Sequence, residues 1–274
     1  MLADLTTFVA RHPRFVAITG AGCSVASGIP TYRDREARWQ RSEPIQHQDF
    51  DNRATSRQRY WSRSFAGWPA VRDARPNPVH HTLAALEAAG HVSQLITQNV
   101  DRLHQRAGHQ KVIDLHGRLD QVVCLSCGDK TPRQAMQEQL ARCNPALKPE
   151  ALALTPDGDA DVDESTIEHF VVPDCTRCGG ILKPDVVFFG GSVPREVVRT
   201  GIGAIEAADA LVVFGSSLMV FSAFRFCRHA AAIGKPIAIV NQGRTRADEL
   251  ATLKLDEDCS TALTTLARAF PLPD

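Results

Sequence analysis

The stretch "TQNVDRLH" (97–104) sets Asn99, Asp101 and His104 within a few residues of one another, and "LHG" (115–117) adds His116 soon after. An amide, a carboxylate and imidazoles so close together can grip a polar ligand and move a proton near neutral pH. A simpler role also exists, because Asn99 and Asp101 have the right side chains to cap a following helix. Four cysteines form a second group, in "CLSC" (124–127) and "CTRC" (175–178), each pair followed by Gly. A glycine there helps a tight knuckle present two thiolates to one ion. Cys124, Cys127, Cys175 and Cys178 are therefore expected to hold one tetrahedral Zn2+, closed and structural. A single such pair also serves as a redox motif, but the doubled pair favours the metal. The segment 128–174 between the knuckles exceeds ordinary zinc-ribbon spacing and reads as an insertion. Of the remaining cysteines, Cys143 and Cys227 are expected as small buried apolar side chains.

A third group is "GAGCSVASGIPTYRD" (20–34). Gly20 and Gly22 allow a tight turn close to a phosphate, with a helix N-terminus expected to follow. The usual dinucleotide fingerprint wants another Gly where Val25 stands, and the next one is Gly28, so an ordinary dehydrogenase site is disfavoured.

These groups need elements to position them. Short apolar, β-rich runs recur at "RFVAIT" (14–19), "SQLIT" (93–97), "KVIDL" (111–115), "VVFF" (186–189), "ALVVFG" (210–215) and "PIAIV" (236–240). Helical patterns such as 79–90 and 196–208 lie between them. Such alternation predicts an α/β fold with a Rossmann-like, doubly wound parallel sheet, and a site at the carboxyl ends of its strands. Residues 35–78 (rich in Arg, Trp and Pro) and 121–182 break the rhythm. The expected division is a nucleotide-binding domain of 1–34, 79–120 and 183–274, with 35–78 and 121–182 meeting as a smaller zinc-binding domain. The acidic stretch "TPDGDADVDEST" (155–166) reads as a solvated surface segment.

Composition narrows the classes further. The chain has 274 residues, 43% of them hydrophobic, with 31 basic residues against 31 acidic ones. That length and apolar content bury a real core, and the even charge gives no basic stripe for nucleic acid and no pull toward an anionic membrane. The first residues lack a basic region followed by an apolar one, and the greasiest stretch (210–224) contains Gly and serines and is too short to span a bilayer. A cytoplasmic protein without a nucleic-acid or membrane partner is the expectation.

"GAGCSVASGIPTYRD", "TQNVDRLH", "LHG", the two Cys-x-x-Cys pairs, "KPDVVFFG" (183–190), "GSSLMV" (215–220) and "NQG" (241–243) together resemble the sirtuins, NAD-dependent protein deacylases. "PIQHQDF", "RQRYWSR", "FAGWP" and "TPDGD" more narrowly resemble class II, which includes a mitochondrial animal member. The departures are small: Tyr32 replaces the family's usual Phe, and Gly191 follows "FFG" where Glu is usual.

The resemblance implies an enzyme that expels nicotinamide from NAD and moves an acyl group from lysine to ADP-ribose. It makes His116 the general base, with Asn99 and Asp101 at the nicotinamide carboxamide beside Ala21 and Ile29. Gly20, Gly22, Ser24, Tyr32, Arg33 and Gln98 fall in the same cofactor site, Tyr32 and Arg33 as part of a lid and Gln98 near the ribose. Gly215, Ser216, Ser217, Asn241, Gln242, Gly243 and Cys259 match the adenosine end, although "GSS" is also a plain strand-to-helix turn. Val187, Phe189, Gly190 and Val220 match the edges that clamp a substrate peptide as an added strand. Tyr60 and Arg63, three residues apart, resemble a pair that holds acidic acyl groups, and an exposed amphipathic helix explains the spacing equally well. An acyl preference other than acetyl (carboxylated or lipoyl-type) and protein mono-ADP-ribosylation are the alternatives.

Overall fold

The computed structural model describes residues 2–40, 44–147, 153–154 and 158–270. Strand β1 (Phe15–Thr19) is buried at every position, so both of its faces need apolar cover. It pairs in parallel with β2 (Val92–Thr97) on one side and with β9 (Ala210–Phe214) on the other. β3 (Val112–Asp114) extends the sheet beyond β2, and β10 (Ile237–Val240) and β11 (Leu253–Leu255) extend it beyond β9, all in parallel. The order is thus β11-β10-β9-β1-β2-β3. The chain builds outward from β1, returns to the other side of it, and builds outward again. This is the doubly wound order, with its switch point between β1 and β9.

Alternation along β1 sends side chains into two cores. Phe15 and Ala17 join Leu5 of α1 (Leu2–Arg11), Leu83 of α4 (Pro78–Ala88) and Leu263 of α10 (Cys259–Ala269). Val16 and Ile18 join Ile205 of α8 (Arg195–Ala207) and Phe226 of α9 (Phe221–Ala232). The expected three-layer core is there.

A second, smaller sheet lies outside the large one. β4 (Gly117–Cys124) runs antiparallel between β5 (Lys130–Pro132) and β8 (Leu182–Val186). Against this sheet lie α2 (His47–Asn52), α3 (Ala54–Asp73) and α6 (Arg133–Cys143), sharing a core of Phe50, Trp61, Phe65, Met136, Leu140 and Phe188. A short ribbon of β6 (Ala153–Leu154) and β7 (Ala160–Asp161), and α7 (Glu164–Glu168), complete the unit.

Four expectations need correcting. "VVFF" is no strand of the large sheet: β8 stops at Val186 and belongs to the small one, since an apolar run does not reveal which sheet it joins. The small sheet also extends past both expected borders, from Gly117 to Val186, so β4 and β8 are the struts between the two units. Cys143 is exposed on the last turn of α6, whereas Cys227 is buried as expected. The acidic stretch is more than a solvated loop. Residues 155–157 lie outside the described residues, but Asp159 and Asp161 bind Arg63 and Asp163 caps α7. Among the described residues no helix is long and apolar enough to cross a membrane.

Candidate active site

Loops from five strands converge at the switch point: Gly20 follows β1, Gln98 and Asn99 follow β2, His116 follows β3, Gly215 follows β9 and Asn241 follows β10. Two of these loops touch backbone to backbone. Gly22 N–H donates to Gly215 O at 2.9 Å, and a Cβ on Gly20 or Gly22 would come within 2.8 Å of Gly215 or Ser216 atoms. The glycines are required by that close approach. The loop then closes into two short 3₁₀ turns, Ala21–Cys23 and Val25–Ser27, where the sequence had led us to expect the start of an α-helix.

Between the large sheet and the small unit lies a cleft of about 1120 Å³. Every expected cofactor, catalytic and substrate position borders it except Gly243 and Arg63. Gly243 sits behind the wall, donating its N–H to Asp256 Oδ1 at 2.8 Å. Arg63 turns away to Asp159 (3.0 Å) and Asp161 (3.1 Å) with little exposure, while Tyr60 lines the cleft. The expected Tyr60–Arg63 fork is therefore split, its cation already held by two carboxylates.

Asn99 spends both amide hydrogens inside the wall, on Gly20 O (3.0 Å) and Ser24 Oγ (3.1 Å). Its carbonyl Oδ1 accepts no hydrogen bond from any described residue, and so is available to a donor in the cleft. It caps no helix. Asp101 Oδ1 accepts from Leu103 N–H at the start of α5 (Leu103–Arg106), and Oδ2 accepts from Ser24 Oγ at 2.7 Å. Burial raises its pKa above the ordinary carboxylate value, against those hydrogen bonds, which favour the anion. His104 is buried, its Nε2 2.9 Å from Thr19 Oγ1.

His116 is held at both ring nitrogens. Nδ1 lies 3.0 Å from the carbonyl of Gln98, and Nε2 lies 2.7 Å from Ser222 Oγ. A carbonyl can only accept, so Nδ1 carries the hydrogen and Nε2 presents a lone pair. Burial pushes the imidazole pKa down to about 4, with the hydrogen bond to Gln98 opposing, so the ring is neutral across the physiological range. A neutral imidazole with a free-swinging hydroxyl on its acceptor nitrogen can work as a general base. Gln98 also donates from Nε2 to Ser216 Oγ at 2.7 Å, tying the β2 loop to the β9 loop across the switch point.

The Tyr32 ring meets Trp39 and Phe189 edge-on at centroid distances of 6.1 and 6.0 Å. Arg33 stacks 3.8 Å over Trp39 and donates to Ala37 O, which braces the segment. The sequence reading assigns no role to Trp39 or Ser222, and the fold brings both to the cleft.

The four cysteine sulfurs lie within 4.8 Å of one another, with Cys124 to Cys178 at 3.5 Å and Cys127 to Cys175 at 3.9 Å. Sulfurs about 2.3 Å from a tetrahedral zinc stand about 3.8 Å apart, so the set fits that ion. Backbone hydrogen bonds from Gly128 to Cys124 O and from Gly179 to Cys175 O close the two knuckles.

A cleft at a doubly wound switch point with a neutral imidazole in its wall, and a four-cysteine zinc-binding cluster in the small unit, define an α/β fold of nucleotide-binding type with a zinc module. Comparison with known proteins makes the class specific. The Sir2 family model matches residues 20–222. An NAD-dependent protein deacetylase of Xanthomonas axonopodis pv. citri (strain 306) is 54% identical over 269 residues, covering 98% of this chain and 92% of its own. NAD-dependent protein deacetylase 2 of Bradyrhizobium diazoefficiens is 55% identical and covers 95% of both chains. Among solved structures, a Sir2 with a p53 peptide and NAD+ superposes with a TM-score of 0.75 at 29% identity over 98% of both chains. A Sir2 bound to an acetylated peptide also gives 0.75, at 28% identity over 98% of both. This chain belongs to the Sir2 family, the sirtuins. The relatives named here are bacterial, so the match does not reach the narrower animal mitochondrial type.

Proposed function

We propose that this chain is an NAD-dependent protein-lysine deacetylase that moves the acyl group to ADP-ribose and releases nicotinamide. One observation carries the reading: the Asn99–Ser24–Asp101 group and the acceptor nitrogen of His116 open on the same cleft. NAD, when bound, supplies a sugar carbon joined to a positively charged pyridine that can depart. Asn99 Oδ1 would accept from the N–H of the carboxamide on that ring, with Ala21 and Ile29 on its apolar side. The loops at Gly20–Gly22, Gly215–Ser217 and Asn241–Gln242 receive the rest of the dinucleotide, with Cys259 at the far end. Val187, Phe189, Gly190 and Val220 offer edges on which an acyl-lysine peptide adds as a strand, so that backbone pairing carries affinity with little demand on sequence. With NAD bound, His116 Nε2 would take the proton of a ribose hydroxyl, and the acyl carbon would exchange its bond to the lysine nitrogen for one to that oxygen, the lysine leaving as the free amine. The charge so formed stays on a ring whose Nδ1–H is already directed at Gln98 O. Alignment of two bound groups supplies much of the rate.

The narrower likeness to class II rests on the motifs of α2, α3 and the 155–159 region. For the acyl group, the engagement of Arg63 by Asp159 and Asp161 favours a neutral acyl chain over a carboxylated one. The test incubates the purified enzyme with NAD and acetyl-, lipoyl- and succinyl-lysine peptides and follows products by mass spectrometry. Free nicotinamide and acyl-ADP-ribose are expected, with succinyl slowest. ADP-ribose retained on protein, without acyl transfer, would identify an ADP-ribosyltransferase. No nicotinamide with any peptide overturns the reading.

A further inference from the structure

Ser222 stands in the first turn of α9, and its hydroxyl is 2.7 Å from His116 Nε2. The direction of that bond follows from the other end of the ring. Gln98 O takes the Nδ1 hydrogen, so Nε2 has only a lone pair to offer and Ser222 must donate. The atom that would serve as base is therefore engaged by a side chain that no sequence motif pointed to. An imidazole tied at one nitrogen alone can pivot about that single bond. Tied at both, it keeps its ring plane and its tautomer.

Building on the deacetylase reading, we infer that Ser222 is a positioning residue for His116, holding the acceptor nitrogen toward the cleft and yielding it to the ribose hydroxyl by a turn about its own Cα–Cβ bond. The geometry suits an exchange of partners. A serine hydroxyl is a one-atom rotor, and an arriving ribose hydroxyl donates to Nε2 as Ser222 does. Ser222 borders the same cleft as His116, next to Val220 and Phe221, so the incoming group meets both residues together. Burial lowers the ring's pKa and keeps it neutral, and in that state the Ser222 hydroxyl donates to Nε2. Among the contributions to that shift only burial and the Gln98 carbonyl appear; no charged side chain takes part.

The test compares wild type, Ser222→Ala and Ser222→Thr in two assays between pH 5 and 8. One is exchange of labelled nicotinamide into NAD in the presence of acyl-peptide, which breaks and remakes the pyridine bond without needing the base. The other is complete deacetylation. In Ser222→Ala, exchange should stay within about twofold of wild type. Its kcat for deacetylation should fall about tenfold, with KM for NAD little changed. The ring is neutral throughout this pH range, so the loss should be the same from pH 5 to 8. Ser222→Thr, which keeps the hydroxyl, should restore the rate. Unchanged deacetylation in Ser222→Ala would overturn the inference. So would an equal loss of exchange and deacetylation that Thr fails to rescue, since that marks mere disruption of the wall. Either result leaves the deacetylase reading standing so long as wild type is active; a wild type that releases no nicotinamide sinks that reading instead.

Discussion

At the scale of single residues, the cleft wall is built by satisfying polar groups in pairs until one acceptor is left over. Asn99 gives both hydrogens to the protein, and the remaining Oδ1 faces no described donor. Asn99→Ala should therefore lower nicotinamide release by about 10²-fold, the scale of losing one preorganised polar contact at a reacting group, and should weaken inhibition by added nicotinamide in parallel. Release and inhibition that both match wild type would remove Asn99 from the pocket. A second set of residues makes a statement about stability. His80, His104 and His109 pack ring to ring at 4.8 and 5.3 Å, and in each one ring nitrogen is buried without a partner. Burial lowers all three pKa values, that of His80 to about 4, and His116 behaves likewise. In the unfolded chain the same rings titrate near about 6.5. As pH falls below that value the unfolded state takes up protons that the native state refuses, so stability declines from about pH 6.5 toward 4, by up to about 1.4 kcal/mol per pH unit for each ring. Asp101, shifted the other way, offsets a part. The melting temperature should hold from pH 8 to 7 and drop between 6.5 and 5, and His109→Gln should flatten the drop by about one proton. A flat profile down to pH 5 would mean that these rings charge in the native state.

At the scale of elements, legibility in the sequence followed length and pattern. β1, β2, β9 and β10 are fully or mostly buried apolar runs of four to six residues, and each was readable as a strand of a covered parallel sheet. β11 has three residues, Leu253, Lys254 and Leu255, too few to carry a period, and it escaped notice on the sheet edge. "VVFF" misled for the complementary reason. Phe188 is buried, but in the small unit's core, and hydrophobicity carries no label for the layer it serves. The site was readable where chemistry concentrates in short motifs, as in residues 97–104 and the paired cysteines. It was unreadable where a lone residue matters through long-range contact. Ser222 reaches His116 across 106 positions of chain. Arg63 shows the opposite failure. Its spacing from Tyr60 promised a fork into the cleft, but the carboxylates that claim it, Asp159 and Asp161, lie in a stretch that sequence alone assigned to solvent.

At the scale of the whole molecule, the zinc site and the cleft share a strand. Cys124 ends β4, whose partner β8 begins at Leu182, directly opposite Cys124. β8 leads straight into Val187–Gly191, the proposed peptide-clamping edge, and Phe188 of that edge packs in the core that also contains Cys124 and Cys175. The β1 and β9 loops that would receive the dinucleotide belong to the other sheet and have their own core. Loss of the metal leaves four thiols crowded together with nothing to hold them, and the free energy of ion binding is free energy of folding for the elements it joins. Disorder begun at the knuckles should travel along β4 and β8 to the clamp before it reaches the nucleotide loops. Cys175→Ser, or extraction of zinc with a strong chelator, should lower the melting temperature and raise KM for the acyl-peptide several-fold, with a smaller change in the dissociation constant for NAD. If both ligands weaken equally, the two units unfold as one and the strut argument fails. If neither weakens, the four sulfurs do not hold the wall at all.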